Sequence, residues 1–97
     1  MKKQPLKFFL AGDVITGRGI DQILSVPSHP RLYESCVMDA RDYIALAERT
    51  AGPIPREVSG DYIWGDALAE LDRFNPDVRI VNLETSVTTA SKPWPGK

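Results

Sequence analysis

Two short apolar runs, one near each end of the chain, predict β-strands with buried side chains. The first covers residues 6–11 and stops at Gly12-Asp13, and the second covers residues 78–83 and stops at Glu84-Thr85. Runs of about six aliphatic and aromatic residues that end at glycine or polar residues are typical of strands rather than helices. Arg79 interrupts the second run, so we expect this strand to lie near a sheet edge or to have one face in solvent.

Helical spacing dominates the part of the chain between the two runs. One helix is predicted from the N-cap Asp39 to the C-terminal signal Gly52-Pro53. Its apolar residues are spaced by three or four positions: Ala40, Ile44, Ala47 and Ala51. A second helix is predicted from Asp66 to Phe74, ending at Asn75-Pro76, and a short helix is predicted around residues 20–24. Segments 25–35 and 52–60 are rich in proline and serine and predict loops.

The order strand, helices, strand predicts an α/β fold with two parallel strands joined by crossover helices. Such crossovers are right-handed in nearly all proteins, and the two strands then point the same way. Their carboxyl ends, which carry Asp13 and Glu84, are expected at one edge of the sheet. In open α/β sheets that edge is where ligands bind.

Asp13, Asn82 and Glu84 form a candidate metal site at this edge. Two carboxylates held about 4 Å apart repel by about 4 kcal/mol at an effective dielectric constant of 20, unless one is protonated or a cation lies between them. Asn82 adds a neutral oxygen on the same face of the strand as Glu84, because side chains alternate. An oxygen-rich set of this kind suits Mn, Mg or Fe. The alternative is that Asp13 caps the next turn and Glu84 is a solvated acid at the strand end.

Residues 12–19, GDVITGRG, nearly match the phosphate-binding loop of nucleotide hydrolases. Arg18 stands where that loop has lysine, and Gly19 stands where it has the serine or threonine that binds Mg²⁺. The lack of both side chains argues against nucleotide hydrolysis. Arg18 remains a candidate for bidentate binding of a phosphate or carboxylate, with an ordinary surface arginine as the alternative.

Composition excludes several classes of function. Twelve basic and thirteen acidic residues give a net charge of -1, which argues against nucleic acid and anionic membranes as partners. Cys36 is the only cysteine and His29 the only histidine, so the 97 residues cannot supply a disulfide, a cysteine-based zinc site or a histidine-based metal site. The first apolar run is shorter than the about 7–15 residues of a signal peptide core or the about 20 of a membrane span. We therefore expect a cytoplasmic chain with no membrane anchor.

The same residues resemble a known family. Residues 12–19 are similar to the opening motif of CapA-type proteins of poly-gamma-glutamate capsule synthesis, and residues 81–86, VNLETS, are similar to their second motif. Residues 62–66, YIWGD, and 94–97, WPGK, also resemble members of that family. The resemblance covers nearly the whole chain, with the motifs in the family's order.

This resemblance implies a calcineurin-like metallophosphoesterase fold, a sheet sandwich with flanking helices around a two-metal centre of Mn, Fe or Zn. Asp13 would be the metal ligand of the first motif, and Asn82 and Glu84 the site residues of the second. Arg18 would be a substrate-binding residue by its position in the first motif.

Family members are several times longer and carry later Asn-Asn-His and histidine motifs that these 97 residues lack. Residues 1–97 are therefore predicted to be the N-terminal part of a single, incomplete domain that is inactive alone. The first functional hypothesis is a metal-dependent phosphoesterase-like hydrolase of poly-gamma-glutamate synthesis, acting on a small-molecule or polyglutamate-type anionic substrate. The alternative is a non-catalytic polymer-binding or scaffold module with a degenerate metal site.

Overall fold

A computed structural model describes residues 2–84 and 88–96 of the chain. Its regular elements are strand β1 (Phe8–Ile15), helix α1 (Arg41–Ala51), helix α2 (Ala67–Phe74) and strand β2 (Val78–Glu84). Two short 3₁₀ helices, Asp21–Ile23 and Gly60–Trp64, lie in the connections. Thr85 and Ser86 of the second motif lie outside the described residues.

Strands β1 and β2 pair in parallel as a two-stranded sheet, with both helices in the crossover between them. This confirms the α/β class and the parallel pairing that the element order predicts. The two strands pair residue by residue from Phe8 opposite Val78 to Leu10 opposite Ile80. The register then shifts by one residue and resumes with Asp13 opposite Asn82. The first strand therefore carries a β-bulge at residues 11–12, where two residues have one partner position.

The prediction that β1 ends at Gly12-Asp13 is wrong, because the strand continues to Ile15. The bulge accounts for the difference. A glycine inside a strand often marks a bulge rather than an end, since the backbone kinks locally and then rejoins the ladder. Asp13 consequently lies within the strand instead of following it.

The helix boundaries agree closely with the sequence signals. Helix α1 begins at Arg41, whose backbone N–H donates to Oδ1 of Asp39 at 2.9 Å, so Asp39 caps this end from two positions before the helix. Gly52 ends α1 with φ of 82°, and Asn75 ends α2 in the left-handed conformation with φ of 48°. The predicted short helix near residue 20 is a 3₁₀ helix, one turn long. Within the described ranges, no helix has both the length and the apolar character that crossing a membrane requires.

Among the described residues, the buried hydrophobic side chains are those of Ile23, Ala40 and Ile44. The sheet itself is open: Leu10 is 67% exposed and Ile80 is 53% exposed. The prediction that β1 is buried is therefore wrong within the described part, because no second layer of that part covers the sheet. The exposure of β2 agrees with the edge position that Arg79 predicts.

The overall dimensions agree with this open arrangement. The accessible surface is 8165 Å², where a compact protein of this mass exposes about 5,500 Å². The radius of gyration is 17.2 Å, against about 13 Å for a compact domain of this length. The fold thus presents its apolar sheet faces outward instead of enclosing them.

Candidate functional site

A hydrogen bond joins the two polar motifs at the sheet. Nδ2 of Asn82 donates to Oδ1 of Asp13 at 2.7 Å, and both side chains are exposed. The two residues are also partners in the strand register, so their side chains leave the sheet on the same face. The bond uses the amide nitrogen of Asn82 and one carboxylate oxygen of Asp13, which leaves Oδ1 of the amide and the second carboxylate oxygen as candidate metal ligands.

The β-bulge is what brings Asp13 to this position. If the register of Phe8 and Leu10 continued unbroken, residue 13 would lie opposite Leu83, on the other face of the sheet from Asn82. The extra residue at positions 11–12 reverses the alternation, so that Asp13 shares a face with Asn82. The bulge therefore decides whether the two motifs meet.

Glu84 lies on this same face, one step further along β2. Residues two apart on a strand share a face, and Glu84 is opposite Ile15, which is itself two residues beyond Asp13. The Cα atoms of Asn82 and Glu84 are therefore about 7 Å apart along the strand. We name this set, Asp13, Asn82 and Glu84, the acidic face. The neighbour of Asp13 across the strands is the neutral Asn82, an arrangement that keeps the two carboxylates from direct opposition.

The donor set of the acidic face fits a hard or borderline divalent cation. All three side chains offer oxygen, which Mg²⁺ and Mn²⁺ prefer over the nitrogen and sulfur that suit Zn²⁺. Within residues 2–84 and 88–96, however, no group of three or more His, Cys, Asp or Glu is placed to hold a metal ion. A site built here therefore needs further ligands from water, from substrate or from residues beyond the described ranges.

Arg18, the fourth predicted site residue, lies in the loop after β1 and forms an ion pair with a carboxylate. Its Nε is 2.8 Å from Oε1 of Glu34, and its own φ is 56°, in the left-handed region. The hydroxyl of Tyr43 donates to Oε2 of the same Glu34 at 2.8 Å. This hydrogen bond is the main reason that the pKa of Tyr43 lies above its ordinary value, with burial and the Glu34 charge adding to it. Nothing in the structure tests the anion-binding role of Arg18, which stays a prediction.

The loop that carries Arg18 packs tightly against helix α1. A Cβ atom added at Gly19 would lie 2.8 Å from Cβ of Tyr43, closer than carbon atoms approach in proteins. Glu34 and Tyr43 were not singled out by the sequence, because Glu34 lies in an irregular segment and Tyr43 has the spacing of an ordinary helix residue. The close packing of Gly19 on Tyr43 brings helix α1 next to the pair of Arg18 and Glu34, and Tyr43 bonds to Glu34 there.

The near-match to a phosphate-binding loop is not such a loop in the structure. Its first four residues, 12–15, belong to β1 and pair with β2. A phosphate cradle needs backbone N–H groups that point together into one concavity, whereas a strand directs them alternately sideways. The next helical element along the chain is the short 3₁₀ helix Asp21–Ile23 and not an α-helix.

Comparison with known proteins covers most of the chain. A family model described as bacterial capsule synthesis protein PGA_cap matches residues 7–97. Two curated relatives, both named as probable polyglutamine synthesis accessory proteins, come from Mycobacterium tuberculosis strains CDC 1551 / Oshkosh and ATCC 25618 / H37Rv. Each is 49% identical over 79 residues, which is 81% of this chain and 21% of the relative. The chain thus spans about a fifth of the length of these relatives. No solved structure matches the chain.

The family match includes every residue of the acidic face as well as Arg18. It extends over more than half of the chain and agrees with the resemblance that the two motifs predict. The chain belongs to the bacterial capsule synthesis protein family.

Proposed function

We propose that the protein is a metal-dependent, phosphoesterase-like hydrolase that serves the synthesis of a glutamate-based capsule polymer, and that the acidic face supplies part of its metal site. The observation that carries this proposal is the 2.7 Å hydrogen bond from Asn82 to Asp13 on the same sheet face as Glu84. Family membership and the names of the relatives support the link to polymer synthesis.

Each residue of the acidic face has a separate part in this proposal. Asp13 supplies a carboxylate ligand, and the amide nitrogen of Asn82 fixes the orientation of that carboxylate through its hydrogen bond. Glu84, one step along β2, supplies the second carboxylate. When bound, a divalent metal lowers the pKa of a coordinated water and stabilises negative charge on a phosphoryl oxygen.

Arg18 has a second, electrostatic part. Its side chain is 63% exposed, and it pairs with Glu34 through Nε. A guanidinium offers five N–H donors, and one pairing does not exhaust them. We place Arg18 as the residue that contacts an anionic group of the substrate, with Glu34 and Tyr43 holding it.

The test is hydrolysis of a generic phosphodiester by the full-length natural protein, with and without added Mn²⁺. Asp13→Asn and Glu84→Gln remove one negative charge each with little change in size, and Asp72→Asn is the matched control, because Asp72 lies on α2 with its side chain 80% exposed. We expect Mn²⁺-dependent activity that falls at least about a hundredfold in the two site variants, the range found when a catalytic group is removed. Equal activity in all variants, or activity that is the same with and without Mn²⁺, would refute the proposal. Binding of polymer without any hydrolysis would support the non-catalytic alternative instead.

A further inference from the structure

A surface concavity that no strand residue lines contains two cationic side chains among neutral ones. It has a volume of about 520 Å³ and lies between the loop after the first 3₁₀ helix and the segment 88–93. We call it the basic pocket and define it by six of its lining residues: Ser28, His29, Arg31, Tyr33, Thr88 and Lys92. Its volume is within the range of about 300–1,000 Å³ that is typical of ligand sites.

Hydrogen bonds fix the floor of the basic pocket. Oγ of Ser28 donates to the carbonyl oxygen of Thr88 at 3.1 Å, which ties the two walls together. The backbone N–H of Ser28 donates to Oδ2 of Asp21 at 3.0 Å, and Nε2 of Gln22 donates to the Ser28 carbonyl at 2.8 Å. Ser28 is thus held from three sides by the first 3₁₀ helix and the far segment, so the walls keep their spacing.

The charge of the basic pocket is not balanced by a lining acid. Arg31 and Lys92 are permanent cations, and none of the lining residues is acidic. In the described part of the chain, five other arginines form ion pairs with carboxylates, but the ion pairs include neither Arg31 nor Lys92.

Two carboxylates lie close to the lining residues. Asp21 accepts the backbone N–H of Ser28 at 3.0 Å. Asp39 pairs with Arg31 through the backbone bridge, and its carboxylate is bound by the side chain of Arg41 at 2.5–3.2 Å. The lining itself carries two positive charges and no negative charge, which favours an anionic ligand.

Two of the pocket's donors are oriented by their neighbours. The guanidinium carbon of Arg31 lies 5.0 Å from the ring centre of Tyr33, a cation–π contact that limits the arginine to few conformations. Nδ1 of His29 accepts a hydrogen bond from the backbone N–H of Arg31 at 3.2 Å. A neutral imidazole that accepts at Nδ1 carries its proton on Nε2, so His29 adds a donor for an anion.

We infer that the basic pocket binds neighbouring carboxylates of an acidic peptide chain, with Arg31 and Lys92 each contacting one carboxylate. Its two cations come from separate segments of the chain, and a pocket of this size exceeds what a single small anion fills. An arginine binds a carboxylate through two parallel hydrogen bonds, and a lysine binds it as a point charge.

The choice of a glutamate-type chain as the ligand rests on the proposed function. The Cα atoms of Glu84 and Thr88 are joined by four peptide units, so they lie no more than about 14 Å apart. A peptide chain of a few residues therefore has the length to reach from the basic pocket to the acidic face.

The test is the affinity of the full-length natural protein for a short, fluorescently labelled oligo-glutamate in buffer that contains a metal chelator. We expect Arg31→Ala and Lys92→Ala each to weaken binding by about tenfold, the loss expected for one charged hydrogen bond. Arg73→Ala and Lys3→Ala are the matched controls, since both remove one positive charge outside the pocket, and we expect less than about a twofold effect from them.

Three results would overturn the inference. The first is equal affinity in the pocket variants and the unmodified protein, and the second is equal binding of an uncharged oligo-glutamine. The third is binding of inorganic phosphate, but not oligo-glutamate, with the same dependence on Arg31 and Lys92. Because the chelator removes metal, the result of this experiment does not depend on whether the acidic face binds a metal ion. Retained binding in Asp13→Asn shows that the two sites are separate.

Discussion

The carboxylate of Asp13 accepts a 2.7 Å hydrogen bond from the amide of Asn82, although the two residues are 69 positions apart in the chain. The bond exists because a one-residue bulge in β1 brings Asp13 opposite Asn82 in the parallel ladder. Strand pairing, the bulge and the chemistry of the acidic face are thus parts of one arrangement, which removal of a single residue can disrupt.

Deletion of Gly12 tests the bulge. Without this residue β1 is expected to pair with β2 in unbroken register, and the aspartate at position 13 of the natural sequence then stays opposite Asn82. The shortened chain therefore keeps both the apolar pairing of Phe8 with Val78 and the polar pairing of Asp13 with Asn82, and it loses only the bulge.

The deletion therefore tests the bulge apart from the pairing of the strands. We expect the bulge to be required for the local twist and bend at this edge, and so predict at least about tenfold weaker Mn²⁺ binding, the loss seen when the support of a ligand is disturbed. Gly12→Ala is the matched control, because nothing lies within 4 Å of a Cβ atom added there. Unchanged metal affinity in the deletion variant would show that the acidic face does not depend on the bulge.

Gly19→Ala tests the packing that holds Arg18. The added Cβ would lie 2.8 Å from Cβ of Tyr43, so the loop and helix α1 must separate. We expect a loss of about 1–3 kcal/mol in the free energy of unfolding, the usual effect of overpacking. Thermal or urea unfolding of the full-length natural protein measures it. Gly60→Ala, where nothing lies within 4 Å, should change stability by much less; equal effects from both would contradict the packing described at Gly19.

The carboxyl group of Asp39 should titrate far below its ordinary range. Hydrogen bonds from the Arg41 side chain, and then from its backbone N–H, lower the pKa of Asp39 from 3.8 to about 2. A lowered pKa means that this carboxylate stabilises the fold above pH 3.8, and that its contribution is lost as the pH falls through about 2.

NMR titration of the aspartate carboxyl carbons is the measurement. We expect Arg41→Gln to return the pKa of Asp39 toward 3.8, because the substitution removes the hydrogen bond from the guanidinium and its positive charge. Arg49→Gln, at the other end of α1, should leave the Asp39 midpoint near 2. A midpoint near 3.8 in the unmodified protein would show that the Asp39–Arg41 pair does not form in solution.

The 97-residue chain on its own should associate through its sheet. Leu10 and Ile80 are opposite each other and more than half exposed, and an uncovered strand pair is a template for further pairing. We expect sedimentation velocity to show species larger than a monomer, increasing with concentration. Leu10→Lys should reduce the association, whereas Val26→Lys, at a residue that is 79% exposed and outside the sheet, should not. A single monomeric species at every concentration would contradict this expectation.

Much of this arrangement could be predicted from the sequence, because it depends on local signals. The apolar runs located both strands, and Gly52 and Asn75 marked the helix ends, since these positions adopt left-handed conformations that few other residues tolerate. The motifs placed Asp13, Asn82 and Glu84 at the same sheet, where the structure brings Asp13 and Asn82 into contact.

The remaining features depend on contacts between distant segments. The bulge is a property of two paired strands, and a glycine alone does not distinguish a bulge from a strand end. The partner of Arg18 is Glu34, which lies in an irregular segment and also accepts the hydroxyl of Tyr43 from α1. Arg31 and Lys92 line one pocket, whose two walls are joined by the hydrogen bond from Ser28 to Thr88, 60 positions away.

Metal titration of the full-length natural protein tests the central claim most directly. Calorimetric titration with Mn²⁺ would compare the unmodified protein with Asp13→Asn and with the control Asp72→Asn. We predict that Asp13→Asn weakens Mn²⁺ binding by at least about tenfold, because substitution of residues that only hydrogen-bond to metal ligands already costs that much affinity. We predict that Asp72→Asn binds Mn²⁺ as the unmodified protein does. Equal Mn²⁺ affinity in Asp13→Asn and the unmodified protein, with the fold intact by circular dichroism, would show that the acidic face is not a metal site.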